Sequence, residues 1–187
     1  MGILTEHYYK LIWKLSTANE MLEFKKAEIK DLSTIQKLAY DTWPNTFGKV
    51  IPKKQINYML QLFYNIEALK KQMLEKGHNF LLAENDNQAI GFTSYEIFCN
   101  EEPQLMIHKL YILPSKQGLG IGKEFLNLLS DIAMQNNNQR LRLKVYYKNA
   151  KAIGFYEKNG FKNNGTEMTN IGNDYSILDN IMVKELK

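Results

Sequence analysis

Three glycines at alternate positions, followed directly by a lysine, form the segment with the clearest chemical meaning. The segment QGLGIGK runs from Gln117 to Lys123, between an apolar run ending at Leu113 and an amphipathic run from Phe125. A helix that begins here leaves its first backbone N–H groups without partners, and glycine lets a ligand approach the backbone closely. Lys123 adds its charge to the positive end of the helix dipole. The segment therefore predicts an anion site that suits a pyrophosphate, with a solvated turn as the simpler alternative.

Two common phosphate-binding motifs do not fit this segment. A Walker A loop requires glycine, four residues and then Gly-Lys-Ser/Thr, but Gln117 and Glu124 occupy two of those positions. The Rossmann motif G-x-G-x-x-G requires a third glycine where this chain has Lys123 or Phe125. Another type of nucleotide-phosphate binder stays open as an alternative.

The elements that must position this segment follow from hydrophobic spacing and turn residues. Pro44 is predicted to end the first helix. Asp86 and Asn87 predict a turn between two strands. The pattern indicates an α/β or α+β fold with a mixed central sheet. Strands are predicted over 22–27, 79–84, 89–98, 104–113, 141–147, from 161 onward and over 175–183, and helices over 31–43, 54–73, 119–135 and 149–158.

Length and composition favour one compact domain and exclude several classes of protein. The chain has 187 residues and a net charge of +4, which suits an anionic ligand but does not indicate a nucleic-acid surface. No apolar run reaches the roughly 18 residues of a membrane span, and the N-terminus lacks the pattern of a signal peptide. The single cysteine, Cys99, and the scattered His7, His78 and His108 predict no metal site. A cytoplasmic protein is expected.

Two motifs in order carry a resemblance to a known family. Residues 117–122 match Q/R-x-x-G-x-G, and the run N-x-x-A-I-x-F-Y-E-K-N-G-F follows from Asn149 to Phe161. This pair resembles the GNAT superfamily of acyl-CoA-dependent N-acetyltransferases, most strongly over 104–161. The resemblance implies the GNAT fold, with a mostly antiparallel sheet of about seven strands flanked by about four helices, in a single domain over 21–187. Residues 1–20 lie outside it, as an extension whose apolar spacing allows a short helix.

The resemblance implies how acetyl-CoA is bound. In the family, the pyrophosphate rests on the loop amides and the pantetheine arm pairs like an extra strand with the preceding strand. An amide near Ile112 polarises the acetyl carbonyl. Asn149 matches a position that often contacts the cofactor arm. The implied cofactor-binding residues are Leu110, Tyr111, Ile112, Gln117, Gly118, Leu119, Gly120, Ile121, Gly122, Lys123 and Asn149.

The resemblance also implies a general acid. Tyr156 occupies the position that protonates the leaving CoA thiolate, and a phenol holds its proton at neutral pH. The simpler alternative makes Tyr156 a core aromatic residue of a short helix. The base is open among Glu96, His108, Tyr111 and a chain of water molecules.

The implied acceptor is the primary amine of a small molecule. The segment 43–47 is expected to form part of its pocket, with Trp43 and Phe47 as walls unless they are core residues. Glu96 and His108 are the other candidate substrate-binding residues. The region 43–64 is similar to bacterial GNAT proteins grouped with spermine/spermidine acetyltransferases, which makes a polyamine-like acceptor one option. A polyamine needs several converging carboxylates; the candidates are Glu96, Glu101, Glu102, Asp174 and Asp179.

Other functions stay open beside this one. A GNAT-like domain that binds acyl-CoA without turnover would serve as a sensor or interaction module, because a fold does not guarantee chemistry. A peptide or protein amine is an alternative acceptor. A homodimer is compatible with such a sheet, and neither nucleic acid nor a membrane is expected as a partner.

Overall fold

A computed structural model of the chain describes residues 13–17 and 20–186. One eight-stranded sheet runs through these residues in the order β1-β2-β3-β4-β5-β6-β8-β7, and only β5 and β6 are parallel neighbours. The strands are β1 (Trp13–Thr17), β2 (Glu20–Lys26), β3 (Asn79–Asn85), β4 (Gln88–Glu96), β5 (Gln104–Ile112), β6 (Arg140–Tyr146), β7 (Lys162–Gly172) and β8 (Tyr175–Glu185). The helices are α1 (Leu32–Phe47), α2 (Lys53–Tyr64), α3 (Ile66–Glu75), α4 (Ile121–Gln135) and α5 (Ala150–Lys158).

The predicted α/β fold with a mixed, mostly antiparallel sheet is confirmed, with one more strand and one more helix than expected. The added strand is β1, which pairs with β2. It lies where a short helix was considered, so that interpretation is wrong for Trp13–Thr17, and residues 1–12 lie outside the described part. No helix in the described part is long and apolar enough to cross a bilayer.

The first helix continues through Pro44 instead of ending before it. Proline inside a helix removes one hydrogen bond and costs about 3 kcal/mol. The extra turn places Phe47 against Trp43, with ring centroids 4.7 Å apart, and both side chains are buried. Burial of such a side chain contributes about 2–3 kcal/mol, which offsets the cost of the proline.

The predicted long second helix is two helices divided at Asn65. This residue has an extended backbone, and its side chain accepts a hydrogen bond from the Ala68 N–H at 2.8 Å. Asparagine is a favoured N-cap because its side-chain oxygen satisfies a free N–H of the first turn. The chain therefore ends α2 and begins α3 at this point.

Both faces of the sheet are covered, which gives a three-layer structure. Helices α4 and α5 pack on one face around fully buried Phe125 and Leu129. Helices α1, α2 and α3 cover the other face around Ile35, Leu69 and Phe92. Strand β5 lies between the two clusters and sends side chains into each.

One extra residue in β5 changes which side chains face each layer. Ser94 on β4 pairs with Lys109, and Tyr95 pairs with Ile107, so His108 has no counterpart and forms a β-bulge. Before the bulge, Leu105 and Ile107 face α4, and after it Leu110 and Ile112 do so. The pairing of β5 with β6 also stops here, at Ile107 and Leu143. Beyond that pair the two strands separate.

A half-buried lysine follows the bulge. The Lys109 ammonium donates to Gln72 Oε1 at 2.6 Å and lies 5.6 and 5.7 Å from the ring centroids of Tyr64 and Phe80. Burial, with a contribution from Lys76, lowers its pKa to about 7. The folded state therefore carries the free-energy cost of a charge held away from water.

We predict that Lys109→Met gives the protein a stability advantage over wild type that shrinks as pH rises from 7 to 10. The unfolded chain keeps the lysine proton to higher pH than the folded chain, so raising the pH favours the folded wild type. The advantage near pH 7 should be a few kcal/mol, reduced by the partner that Gln72 loses. Urea unfolding at several pH values measures it. Lys70→Met, on the exposed face of α3, serves as the control, and a pH-independent difference for Lys109→Met would contradict the prediction.

Candidate active site

A cleft of about 660 Å³ lies where β5 and β6 separate. This volume is typical of sites for small ligands and cofactors. Its walls come from the two separated strands, the glycine-containing loop, α5 and the end of α1. The lining residues include Thr42, Asn45, Thr46, Phe47, His108, Lys109, Leu110, Tyr111, Ile112, Lys116, Gln117, Gly118, Gly120, Ile121, Gly122, Lys123, Lys144, Tyr146, Asn149, Lys151, Phe155 and Tyr156.

The glycine-containing loop presents free backbone amides to the cleft. Gly118 and Gly120 have φ values of 86° and 82°, which side chains rarely adopt, and a Cβ at either would meet open space. Gly120 is the N-cap of α4. Among the described residues, no acceptor is found for the N–H groups of 118–123. The loop is therefore open to an anion and is not filled by the protein's own side chains.

The third glycine serves packing. A Cβ at Gly122 would lie 3.0 Å from Phe155 Cζ and 3.4 Å from Ile112 Cδ1. A side chain here would push α4 away from α5 and from the end of β5. Leu119, between the first two glycines, is 61% exposed and does not line the cleft.

Three lysines surround the loop. Lys123 was identified from the sequence, whereas Lys116 and Lys151 were missed. Lys151 donates to Gln117 Oε1 at 2.6 Å, and Gln117 in turn donates to the Ile112 carbonyl at 3.1 Å. The position of Lys151 in the first turn of the helix after Asn149 was the available signal. The lysines and the start of α4 make this end of the cleft positive.

The end of β5 offers an unpaired backbone edge to the same cleft. Leu110, Tyr111 and Ile112 pair with β4 on one side and face the gap to β6 on the other. The backbone groups that point away from β4 could pair with an extended ligand, although the Ile112 carbonyl already accepts from the Gln117 side chain. The Tyr111 side chain points to the opposite layer and packs against Trp43 and Tyr64.

Tyr156 faces the cleft from α5. Its ring packs edge-on against Phe155 and Phe161, with centroids 5.2 and 5.5 Å away. The hydroxyl has no hydrogen-bond partner among the described residues, and burial raises its pKa. Tyr156 is therefore both a core aromatic residue and a protonated phenol at the cleft. Asn149 caps α5 by accepting from the Ala152 N–H at 3.2 Å.

The other end of the cleft is formed by α1. Phe47 lines it, while Trp43 is 4% exposed and lies in the core behind the lining. Thr42, Asn45 and Thr46 line it as well; the last two lie in the expected segment 43–47, whereas Thr42 was missed by the sequence analysis. Their spacing on one face of a helix was a signal, but the predicted helix end at Pro44 concealed it.

His78, Glu96 and His108 form a cluster beside the bulge. Their potential ligand atoms lie within 4.8 Å of one another, which the sequence spacing did not predict. The two imidazole rings are stacked, with centroids 3.8 Å apart and planes 10° from parallel. Zinc binds at about 2.0–2.1 Å in the plane of each ring, and parallel rings at this distance do not converge on one ion. The structure therefore does not present a formed metal site here.

The cluster instead holds His108 in one orientation. Its Nε2 lies 3.0 Å from Glu96 Oε2, and burial lowers the pKa of His108 to about 2. The neutral ring donates its N–H to the carboxylate. His108 lines the cleft, whereas Glu96 does not.

The five candidate carboxylates for a polyamine do not converge. Glu96 contacts His108 at 3.0 Å, and Glu102 pairs with Arg140. Glu101 lies in the exposed turn before β5, and Asp174 in the exposed turn between β7 and β8.

Asp179, on β8, lies near cleft residues Tyr111 and Tyr146 and affects the pKa of each.

Comparison with known proteins places this arrangement in a family. Residues 34–161 match the acetyltransferase (GNAT) family. The chain is 29% identical over 150 residues to a spermidine N(1)-acetyltransferase of Thermoplasma acidophilum, covering 78% of this chain and 91% of the relative.

Solved structures agree with that match. The PaiA N-acetyltransferase of Thermoplasma acidophilum, in complex with coenzyme A, superimposes with a TM-score of 0.73 at 27% identity, covering 88% of this chain and 99% of that one. The ribosomal-protein-S18-alanine N-acetyltransferase of Escherichia coli shares the fold, with a TM-score of 0.67 at 17% identity over 88% of this chain and 94% of that one. Since the family match spans well over half of the chain, the protein belongs to the GNAT family and is an acetyl-CoA-dependent N-acetyltransferase.

Proposed function

We propose that the protein transfers the acetyl group of acetyl-CoA to a primary amine of a small molecule by direct attack, with Tyr156 as general acid. The observation that carries this proposal is the meeting of three features in one cleft. These are the free amides of residues 118–123, the unpaired edge of β5 and the protonated phenol of Tyr156.

The residues around the cleft fit coenzyme A. The loop amides and Lys123 suit its pyrophosphate, and the edge at Leu110–Ile112 suits the amide-containing pantetheine arm. The Asn149 side chain caps α5 through its oxygen, which leaves its NH₂ group to donate to the arm. Bound acetyl-CoA supplies the activated acetyl group as a thioester. A backbone N–H near Ile112 would stabilise negative charge on the acetyl oxygen.

Tyr156 would assist departure of the sulfur. Its hydroxyl has no other partner among the described residues, so it is free to donate to a thiolate. The raised pKa keeps the phenol protonated at neutral pH, as a proton donor requires.

The acceptor end suits an amine with an apolar portion. Phe47 and Tyr146 form an aromatic wall, with centroids 6.4 Å apart, and Asn45 and Thr46 add polar groups. The similarity to a spermidine N(1)-acetyltransferase makes spermidine the first acceptor to test. A monoamine, a peptide amine and a non-catalytic acyl-CoA sensor are the alternatives.

We predict that Tyr156→Phe lowers kcat at least about 100-fold and leaves the Kd for acetyl-CoA unchanged, because removing a general acid costs about 10²–10⁴-fold. The phenylalanine ring keeps the contacts with Phe155 and Phe161, so the fold should be retained. Release of CoA thiol is followed with acetyl-CoA and a panel containing spermidine, tyramine, an aminoglycoside and a peptide with a free N-terminus.

Tyr40→Phe is the matched control for this experiment, since Tyr40 lies on α1 outside the cleft lining and contacts Gln61. Release of CoA by Tyr156→Phe at the wild-type rate across the pH range would remove Tyr156 as the acid. Tight acetyl-CoA binding by wild type, with no thiol release from any amine in the panel, would favour the sensor.

We predict that Gly120→Ala weakens acetyl-CoA binding by about tenfold or more. A side chain at φ 82° costs about 1–2 kcal/mol, and relief of that strain turns the loop amides away from the cleft. Gly165→Ala is the control, because Gly165 also has a positive φ of 114° and open space around it but lies on β7. Calorimetry should show weaker binding only for the loop variant. Equal affinities in both variants would argue against amide binding of the pyrophosphate.

A further inference from the structure

Asp179 is a half-buried carboxylate that the structure leaves without a partner. No hydrogen bond or ion pair joins it to any described residue. Its neighbour Glu167 differs, since it accepts from Lys144 at 2.5 Å and lies 3.9 Å from Arg142. A carboxylate that is partly shielded from water and has no cation in direct contact suggests a function other than stability.

Sheet register places Asp179 beside the acceptor end of the cleft. Asp179 pairs with Tyr146 on one side and with Glu167 on the other. Residues directly opposite in an antiparallel pair project from the same face of the sheet. Tyr146 lines the cleft and packs against Phe47, so the carboxylate lies on the face where an amine would enter.

We propose that Asp179 accepts the proton that the acceptor's ammonium group must lose before it attacks, directly or through one bridging water. This inference rests on the proposed transferase function and identifies the base that the sequence left open. Of the earlier candidates, Glu96 is already engaged, since it accepts a hydrogen bond from His108, whereas Asp179 has no such partner among the described residues.

The charges around Asp179 fit this role. Burial raises the pKa of Asp179 to about 6, with Lys144 lowering it and Glu167 raising it. Tyr111 on β5 and Tyr146 on β6 are the other titratable groups nearby, and the α1 residues at the cleft do not titrate. A base works best when its pKa lies near the working pH, and the pKa of His108, at about 2, is far below it.

The proton transfers balance over one turnover. The ammonium gives one proton to Asp179, and the neutral amine attacks the thioester carbon, so that a C–N bond forms and the C–S bond breaks. The departing sulfur takes the Tyr156 proton. The nitrogen loses a second proton, which returns the phenol to its neutral form through solvent, and Asp179 releases its proton to solvent.

The test compares Asp179→Asn with wild type for thiol release from acetyl-CoA, using the panel amine that wild type acetylates fastest. We expect kcat/KM near pH 7 to fall about 100-fold or more and the rise in rate near pH 6 to disappear. The midpoint of thermal unfolding at pH 7 should increase, because a carboxylate that is costly to ionise has been removed. If Asp179 only supported the fold, its replacement would lower both the activity and the midpoint of thermal unfolding.

Controls distinguish a failure of this inference from a failure of the proposed function. Asp86→Asn, in the exposed turn between β3 and β4, should match wild type in every measurement, and both variants should bind acetyl-CoA as wild type does. An Asp179→Asn enzyme that keeps the wild-type pH profile, or that raises only KM, would overturn the inference while transfer by wild type still stands. Wild type that acetylates no amine would instead refute the proposed function.

Discussion

The site depends on the point at which the backbone pairing of β5 with β6 ends. His108 is inserted into β5 without a counterpart on β4, and the last residue pair between β5 and β6 lies one residue earlier. A bulge increases the local twist of a strand, so the two strands diverge beyond it. The gap exposes the amides and carbonyls at the end of β5. Without this divergence the sheet would be continuous, and no cleft would exist between its strands.

Each side of the gap contributes a different kind of group. On one side, α4 begins at Gly120, and its free N–H groups, with Lys123, form a positive end. On the other, α1 provides Phe47 and polar side chains, and β8 places Asp179 opposite Tyr146 of the cleft wall. Tyr156 lies between the two, on α5. The divergence of two strands thus brings a row of open backbone amides, a protonated phenol and an aromatic wall into one cavity.

The strands and most helices were predictable because they depend on local patterns. The bounds of β3 and α4 differ from the predicted ones by one or two residues. The path of α1 through Pro44 was not predictable, since it depends on burial of Phe47 in a core cluster built with β3, β4 and the helices α2 and α3, which the local sequence does not show. The bulge at His108 was missed for a similar reason, because register is a property of two strands together.

The candidate site was predicted in part. The loop and Tyr156 belong to the two continuous motifs that carry the family resemblance, so the sequence pointed to them, and Gly118, Gly120 and Tyr156 all line the cleft. The cluster of His78, Glu96 and His108 joins β5 to residues distant in sequence. The isolation of Asp179 depends on Lys144 pairing with Glu167 instead. Which charged and polar side chains pair with each other is determined only in the folded chain, where residues distant in sequence meet.

The parallel pairing of β5 with β6 covers only four residue pairs, from Gln104 with Arg140 to Ile107 with Leu143. Strands β1–β5 and strands β6–β8 are therefore two subsheets that share a short junction. A ligand that pairs along the open edge of β5 would extend that junction and join the subsheets over a greater length. Cofactor binding should then stabilise this junction against local unfolding. Backbone amides on both sides of the gap should therefore exchange their hydrogens more slowly in the complex than in the free enzyme.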